Sequence, residues 1–307
     1  MSQPTPTRSL PAFQEVEKGM LIMAVAMLML PGMDAIAKTL SANMPAGQIA
    51  WSRFVFQVLY LAPFMVLGRR FRLVGPLHLH VARGLLIATA TLLFFAALKF
   101  LPIADAISIF FVEPLILTLL AALILGERVG WRRLTAVAVG FVGALIVIQP
   151  SFAVFGWAAV LPLGAACCFA VYLIITRHLA GRDDAAVMQF MAGIFGSLGM
   201  TLALLVGGLA EIPVLDPVWP SLQGWGLMAV LGLIATIGHI MVVQAFRRAG
   251  PSILAPFQYL EIISATLLGY LVFGDFPAGL TWLGIAIIVA SGLYVFHRER
   301  RLARTAA

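Results

Sequence analysis

The chain has 307 residues, of which 62% are hydrophobic and only 11% charged, against about 25% charged in a soluble domain. That composition excludes a water-soluble enzyme, a disordered chain and a disulfide scaffold. Lys and Arg outnumber Asp and Glu by 20 to 13, a net charge of +7. There is no basic stripe on a polar body, so nucleic acid is not an expected partner, and the excess reads as membrane topology. The two cysteines, Cys167 and Cys168, are neighbours in an apolar run and have no His or Cys at metal-ligand spacing.

A hydrocarbon core of about 30 Å needs roughly 20 apolar residues per helix. Ten such runs follow one another: 19–39, 46–68, 77–98, 102–125, 131–149, 156–176, 185–207, 222–246, 251–273 and 277–297. The expected fold class is an all-α polytopic membrane protein with ten transmembrane helices. The runs are continuous rather than alternating with period two, which disfavours a barrel. The first run, with Lys18 before it and Ala35-Ile36-Ala37 within it, imitates a secretory signal. It is kept as a helix because the charge pattern works only with it in place.

With residue 1 placed in the cytoplasm, the inner segments collect Arg8, Lys18, Arg69, Arg70, Arg72, Arg128, Arg132, Arg133, Arg177, Arg182, Arg247, Arg248, Arg298, Arg300, Arg301 and Arg304. The outer segments hold only Lys38 and Lys99, while Arg53 and Arg83 fall within spans. That partition puts both termini on the cytoplasmic side, and the expected location is the bacterial inner membrane.

A shift of 148 residues lays Gly84 on Gly232, Ala97 on Ala245, Lys99 on Arg247, Glu113 on Glu261, Gly126 on Gly274 and Glu127 on Asp275. Each half then has five spans. Because five is odd, the second half enters the membrane in the opposite sense, an arrangement typical of transporters. The expected organisation is a cytoplasmic segment 1–18, repeats over 19–149 and 156–297, and a basic tail 298–307.

Ala96-Ala97-Leu98-Lys99, Ala106-Ile107, Gly126-Glu127-Arg128, Gly140, Gly143 and the Arg53-Phe54 pair together resemble the EamA-type repeat of the drug/metabolite transporter superfamily. The second half is similar through Ala245-Phe246-Arg247, Gly274-Asp275 and Gly284, but has no Arg-Phe pair and carries Asp275 in place of Glu. The resemblance implies ten helices, alternating access, no enzymatic activity, no cofactor and export of small metabolites. Amino acids, aromatic ones among them, are the nearest subgroup. The alternatives within transport are a drug, quaternary-ammonium, nucleotide-sugar or vitamin carrier. Outside it they are a membrane lipid enzyme or a channel.

Ionisable groups inside a bilayer are costly and therefore candidates for function. Glu113 and Glu261 follow Pro102 and Pro251 by eleven and ten residues, which places both about 15 Å deep at 1.5 Å per residue. Each can bind a substrate amine, carry a proton or lock helix packing. Asp34 and Arg53 fall at similar depths below the outer face, so they are expected to pair, either as a gate and carboxylate site or as a static bridge. Pro31-Gly32 is an expected kink beside Asp34. Arg83 is expected to snorkel to the headgroups, and Asp105 to be a solvated acid at a helix start. His239 is a candidate relay or packing residue. Phe111, Tyr259 and Gln258 flank the glutamates and can wall an organic substrate. Trp51, Trp131, Trp157 and Trp282 fit interface anchors, and Gly193, Gly196 and Gly199 mark a face for close helix packing. There is no Walker A loop, no Gly-x-Ser-x-Gly elbow and no metal pair in His78-x-His80. The expected partners are a small-molecule substrate and the bilayer, with a monomer as the simplest oligomeric state.

Overall fold

The computed structural model describes residues 10–67, 72–125, 131–179, 182–249, 254 and 257–305. Among them every regular element is helical. Lipid offers a backbone amide no partner, so a spanning chain satisfies its amides within helices. The helices are α1 (Leu10–Leu40), α2 (Ala46–Leu67), α3 (Leu77–Leu98), α4 (Ile103–Phe110), α5 (Glu113–Leu125) and α6 (Trp131–Phe155). A 3₁₀ segment (Gly156–Val160) leads into α7 (Leu161–Leu179), then α8 (Ala185–Leu209) and α9 (Leu222–Arg248). Last come α10 (Leu260–Leu268), a π-helical turn (Gly269–Phe273) and α11 (Gly279–Thr305). Among the described residues six helices are long and apolar enough to cross a membrane, and Leu134–Ile148, Leu260–Phe273 and Gly279–Tyr294 are shorter apolar helices.

The structure departs from the expected elements in instructive ways. The first helix already begins at Leu10 and runs as one element through Pro31-Gly32 to Leu40. The fourth expected span is two helices. Pro114 has no N–H for the Phe110 carbonyl, and its ring crowds that carbonyl. Phe111 therefore leaves the helix at ψ 4°, and the Val112 amide turns back to the Ile109 carbonyl at 3.2 Å. Tyr259, 148 residues on, has φ −68° and ψ −11°, and α10 starts after it. Gly126-Glu127-Arg128 and Pro251 lie outside the described residues.

The heaviest packing runs between the two halves of the sequence. Pairing the helices in order, α1 with α7, α2 with α8, α3 with α9 and α6 with α11, exposes a rule. The α1–α9 contact has its counterpart in α7–α3, and α2–α9 has its counterpart in α8–α3. The α1–α10 contact corresponds to α7 against α4 and α5, while α2–α8, α6–α11 and α4–α10 map onto themselves. The heaviest contacts thus correspond under exchange of the two halves. Glycines let these helices approach. A side chain at Gly84 of α3 would strike Phe195 of α8, and one at its repeat mate Gly232 of α9 would strike Phe56 of α2. Gly193, Gly196 and Gly199 do face neighbours, against Gln57, Phe54 and Leu85.

The outside of the bundle is apolar. Leu198, Leu202, Leu205 and Leu209 form one exposed stripe along α8, while buried Asp, Glu, Arg, Gln and His side chains occupy the interior. Trp131, Trp157 and Trp282 are exposed as anchors should be, but Trp51 is half-buried and donates to Thr201 at 2.9 Å. Each end of the bundle carries a clasp. At one end Lys38 donates to Asp275 at 2.6 Å and to the Leu101 carbonyl at 2.9 Å, so it ties α1 to connections from both halves. At the other end Asp183 accepts from the amides of Val74 and Gly75 and lies 3.1 Å from His80 Nε2.

Candidate functional site

The two interrupted helices meet at their breaks. Phe111 and Tyr259, partners under the 148-residue shift, pack ring against ring with centroids 5.4 Å apart. The 148-residue shift exchanges the two members of this contact. Glu113 is the first residue of α5 and Glu261 lies in the first turn of α10, where unpaired amides at a helix start favour negative charge. Glu113 is buried at 8% exposure, and its Oε1 has no hydrogen-bond partner. Glu261 and Gln258 are half-buried. Tyr259 lies within electrostatic reach of Glu113, and Asp34 within reach of Glu261.

The second cluster hangs on Arg53 of α2, which is 3% exposed. One Nη donates to Thr91 Oγ1 of α3 and the other faces His239 Nε2 of α9 at 3.1 Å. The His239 Nδ1 lies 2.8 Å from the Ala235 carbonyl. A carbonyl only accepts and a guanidinium only donates, so Nδ1 carries the proton and Nε2 accepts from Arg53. His239 is therefore a neutral holder of Arg53, and it also lines a groove between α8 and α9 with Asp184, Gln189, Gln244 and Arg247. At the mouth of this groove Arg247 and Asp184 lie 3.5 Å apart.

Three expectations are corrected here. Asp34 and Arg53 form no ion pair, because Thr91 and His239 hold the guanidinium fork toward α3 and α9. Asp34 Oδ1 and Arg53 Nε are both left buried without hydrogen-bond partners. Arg83 does not snorkel. It is 3% exposed and bridges α3 to its neighbours, through Thr176 at 2.7 Å and Tyr172 at 2.8 Å on α7 and the Met188 carbonyl on α8. Three such bonds satisfy a guanidinium that cannot reach water. Asp105 is buried rather than solvated, since the first turns of α4 are covered by neighbouring helices.

The structure thus brings Glu113, Glu261, Phe111, Tyr259 and Gln258 to one crossing and Arg53 with His239 to another, with Asp34 in electrostatic reach of both. Sequence reading missed Thr91, Tyr172 and the Lys38–Asp275 clasp. Only Asp275 carried a signal, as the repeat mate of Glu127. Among the described residues no group of three His, Cys, Asp or Glu can hold a metal ion.

A helical bundle that is apolar outside, and that gathers carboxylates, a guanidinium and facing rings within, is built as a multi-pass membrane transporter. The chain belongs to the EamA-like transporter family, whose model matches residues 17–149 and again 156–296. It is 30% identical over 271 residues to a riboflavin transporter of Rhizobium johnstonii, covering 88% of this chain and 87% of that protein. An S-adenosylmethionine uptake transporter of Rickettsia prowazekii is 27% identical, with 87% and 88% covered. A pseudopaline exporter of Pseudomonas aeruginosa is 27% identical, with 90% and 95% covered. A crystal structure of another protein superposes with a TM-score of 0.62 at 19% identity, over 93% of this chain and 99% of that one, which supports the fold alone.

Proposed function

We propose that the protein is a secondary carrier of a small heteroaromatic metabolite in the bacterial inner membrane, not an enzyme. In this reading ten helices form two inverted halves, 19–149 and 156–297, with 1–18 and 298–307 on the cytoplasmic side. The exchange symmetry of the packing and the Lys/Arg partition support it. Two interlocked halves of opposite sense can swap conformations, so that the central site opens alternately to each side.

The observation that carries the substrate class is the Phe111–Tyr259 pair, set at two helix breaks beside the buried Glu113 and the half-buried Glu261. Aromatic faces bind flat rings, and riboflavin and S-adenosylmethionine, for which two of the relatives are named, both contain fused nitrogen heterocycles. Glu113 and Glu261 then face donor groups of the cargo, and Arg53 with His239 faces its acceptor groups. Amino-acid export, the reading suggested by the family resemblance, draws no support from the relatives' names. The pseudopaline exporter leaves outward movement as a second direction for the same site.

The test is counterflow in proteoliposomes loaded in turn with riboflavin, S-adenosylmethionine, phenylalanine and tryptophan. Saturable exchange of a heteroaromatic compound is expected, with little competition from either amino acid. Exchange of the amino acids alone overturns the substrate class, and covalent conversion of any compound overturns the carrier.

A further inference from the structure

Resting on the carrier reading, we infer that the groove between the start of α8 and the end of α9 is the cytoplasmic arm of the transport path. The Arg247–Asp184 pair latches its mouth, and the His239 ring is the partition between it and Arg53.

One face of α2 backs this space. Arg53 and Gln57 are four residues apart and share that face. Gln57 reaches α8, where its Nε2 donates to the Gln189 carbonyl at 2.7 Å and its Oε1 accepts from Gln189 Nε2 at 3.2 Å. Arg53 reaches α9, where one Nη faces His239 Nε2 at 3.1 Å. Gln189 and His239 both line the groove. The groove therefore ends one side chain short of α2, and on the α9 side the His239 ring stands between it and a guanidinium that is 3% exposed.

The walls are those of a passage for polar groups. The empty volume is about 300 Å³, its open mouth included, at the lower end of small-molecule sites, so the groove takes part of a cargo molecule at a time. Among the described residues none that lines it is Phe, Tyr or Trp, in contrast to the Phe111–Tyr259 crossing. Amide, imidazole and charged side chains face it instead, and these suit the hydroxyl, amide or charged portion of a cargo rather than its ring. At the mouth the two oxygens of Asp184 divide the work. Oδ1 accepts from the Ala186 amide and caps α8, while Oδ2 lies 3.5 Å from an Arg247 Nη on α9. Both side chains of this pair are more than half exposed, and an ion pair so open to water is weak. It holds two helices across an opening and releases them easily. The opposite end of the bundle is tied by Lys38 to two connections at once.

The experiment uses the full chain without Cys167 and Cys168, carrying Val243→Cys in the groove, Ile237→Cys on the exposed apolar side of α9, or His178→Cys at the exposed end of α7. A membrane-impermeant maleimide is applied to right-side-out and inside-out membrane vesicles. Val243→Cys is expected to react in inside-out vesicles alone, and more slowly with saturating riboflavin or S-adenosylmethionine, whichever exchanges in counterflow. Ile237→Cys is expected to react in neither. Asp184→Asn keeps the α8 cap and removes the charge, and is expected to speed the Val243→Cys reaction about two- to fivefold, the range of an exposed ion pair. After complete labelling, counterflow is expected to be lost with Val243→Cys and kept with His178→Cys. Reaction of Val243→Cys from the outer face, no reaction from the inner face, no slowing by the exchanged compound, or full counterflow after labelling overturns the inference; the carrier reading stands as long as the unlabelled protein exchanges. An unchanged rate in Asp184→Asn overturns the latch. No exchange of either compound by the unsubstituted protein overturns the carrier reading and the inference with it.

Discussion

A carboxyl at a helix start, buried with one oxygen unpartnered, is poised to interact with something that arrives. That is the state of Glu113. Glu113→Gln keeps the shape and removes the ability to ionise or pass a proton, so counterflow is expected to fall about tenfold or more while membrane yield and melting temperature stay near those of the parent. Unchanged flux with equal yield would show that Glu113 only packs. Asp183 is a carboxyl of another kind. It sits in the short connection between α7 and α8, outside the apolar spans. Burial pushes its carboxyl up, but the Val74 and Gly75 amides and the His80 ring outweigh that and hold it below the ordinary value of 3.8. A lowered carboxyl stabilises the fold fully above its ordinary value and loses that contribution as pH falls through the lowered one. Asp183→Asn is therefore expected to lower the melting temperature at neutral pH, by about 2–4 °C for each kcal/mol lost. Thermal scans in detergent should show the gap closing only as acid protonates the parent carboxyl. Both acids were visible in the sequence, but only Glu113 carried a signal of its own, through the repeat.

At the scale of elements the breaks matter most. The α4–α5 interruption follows from Pro114 and was legible in principle, since a proline removes the amide that the Phe110 carbonyl needs. Pro114→Ala restores that amide. The melting temperature is expected to rise, with an upper bound of about 3 kcal/mol. Counterflow is expected to slow, because a continuous helix carries Glu113 away from the Phe111–Tyr259 contact. Faster transport on straightening would argue that the break is incidental. The glycine contacts supply a second check. Gly84→Val meets Phe195 and Gly232→Val meets Phe56, and overpacking of this kind costs about 1–3 kcal/mol. If the two contacts are true repeat mates, the two variants lose stability by similar amounts in unfolding titrations. A loss at only one of them would break the equivalence.

For the whole molecule, the two ends of the bundle differ. The Lys38 clasp joins the connection at Leu101 to Asp275 across the halves, and Ala104 lies buried just beyond it, at 2% exposure. In a background without Cys167 and Cys168, Lys38→Met is expected to raise the labelling rate of Ala104→Cys by a membrane-impermeant maleimide several-fold. No change would mean that the clasp does not close this end. The inverted arrangement makes its own demand. Reporter tags fused before residue 1 and after residue 307 should report the same, cytoplasmic, side. Tags on opposite sides would remove the odd number of spans per half on which alternating access rests.

What the sequence by itself determined was that the chain is an all-helical membrane protein, where most of its apolar runs lie, and that some ionisable groups, Glu113, Asp34 and Arg53 among them, lie inside. Each of these depends on a property summed along a single segment, the transfer of its side chains into lipid. Only the tertiary structure decided which interior groups meet. Arg53 finds His239, 186 residues away, rather than Asp34, and Lys38 finds Asp275, 237 residues away. Those meetings depend on how each helix is rotated about its axis and where it crosses its neighbours. Rotation is set by close packing at glycines and by breaks such as the one at Pro114, and depth along a helix carries no record of it.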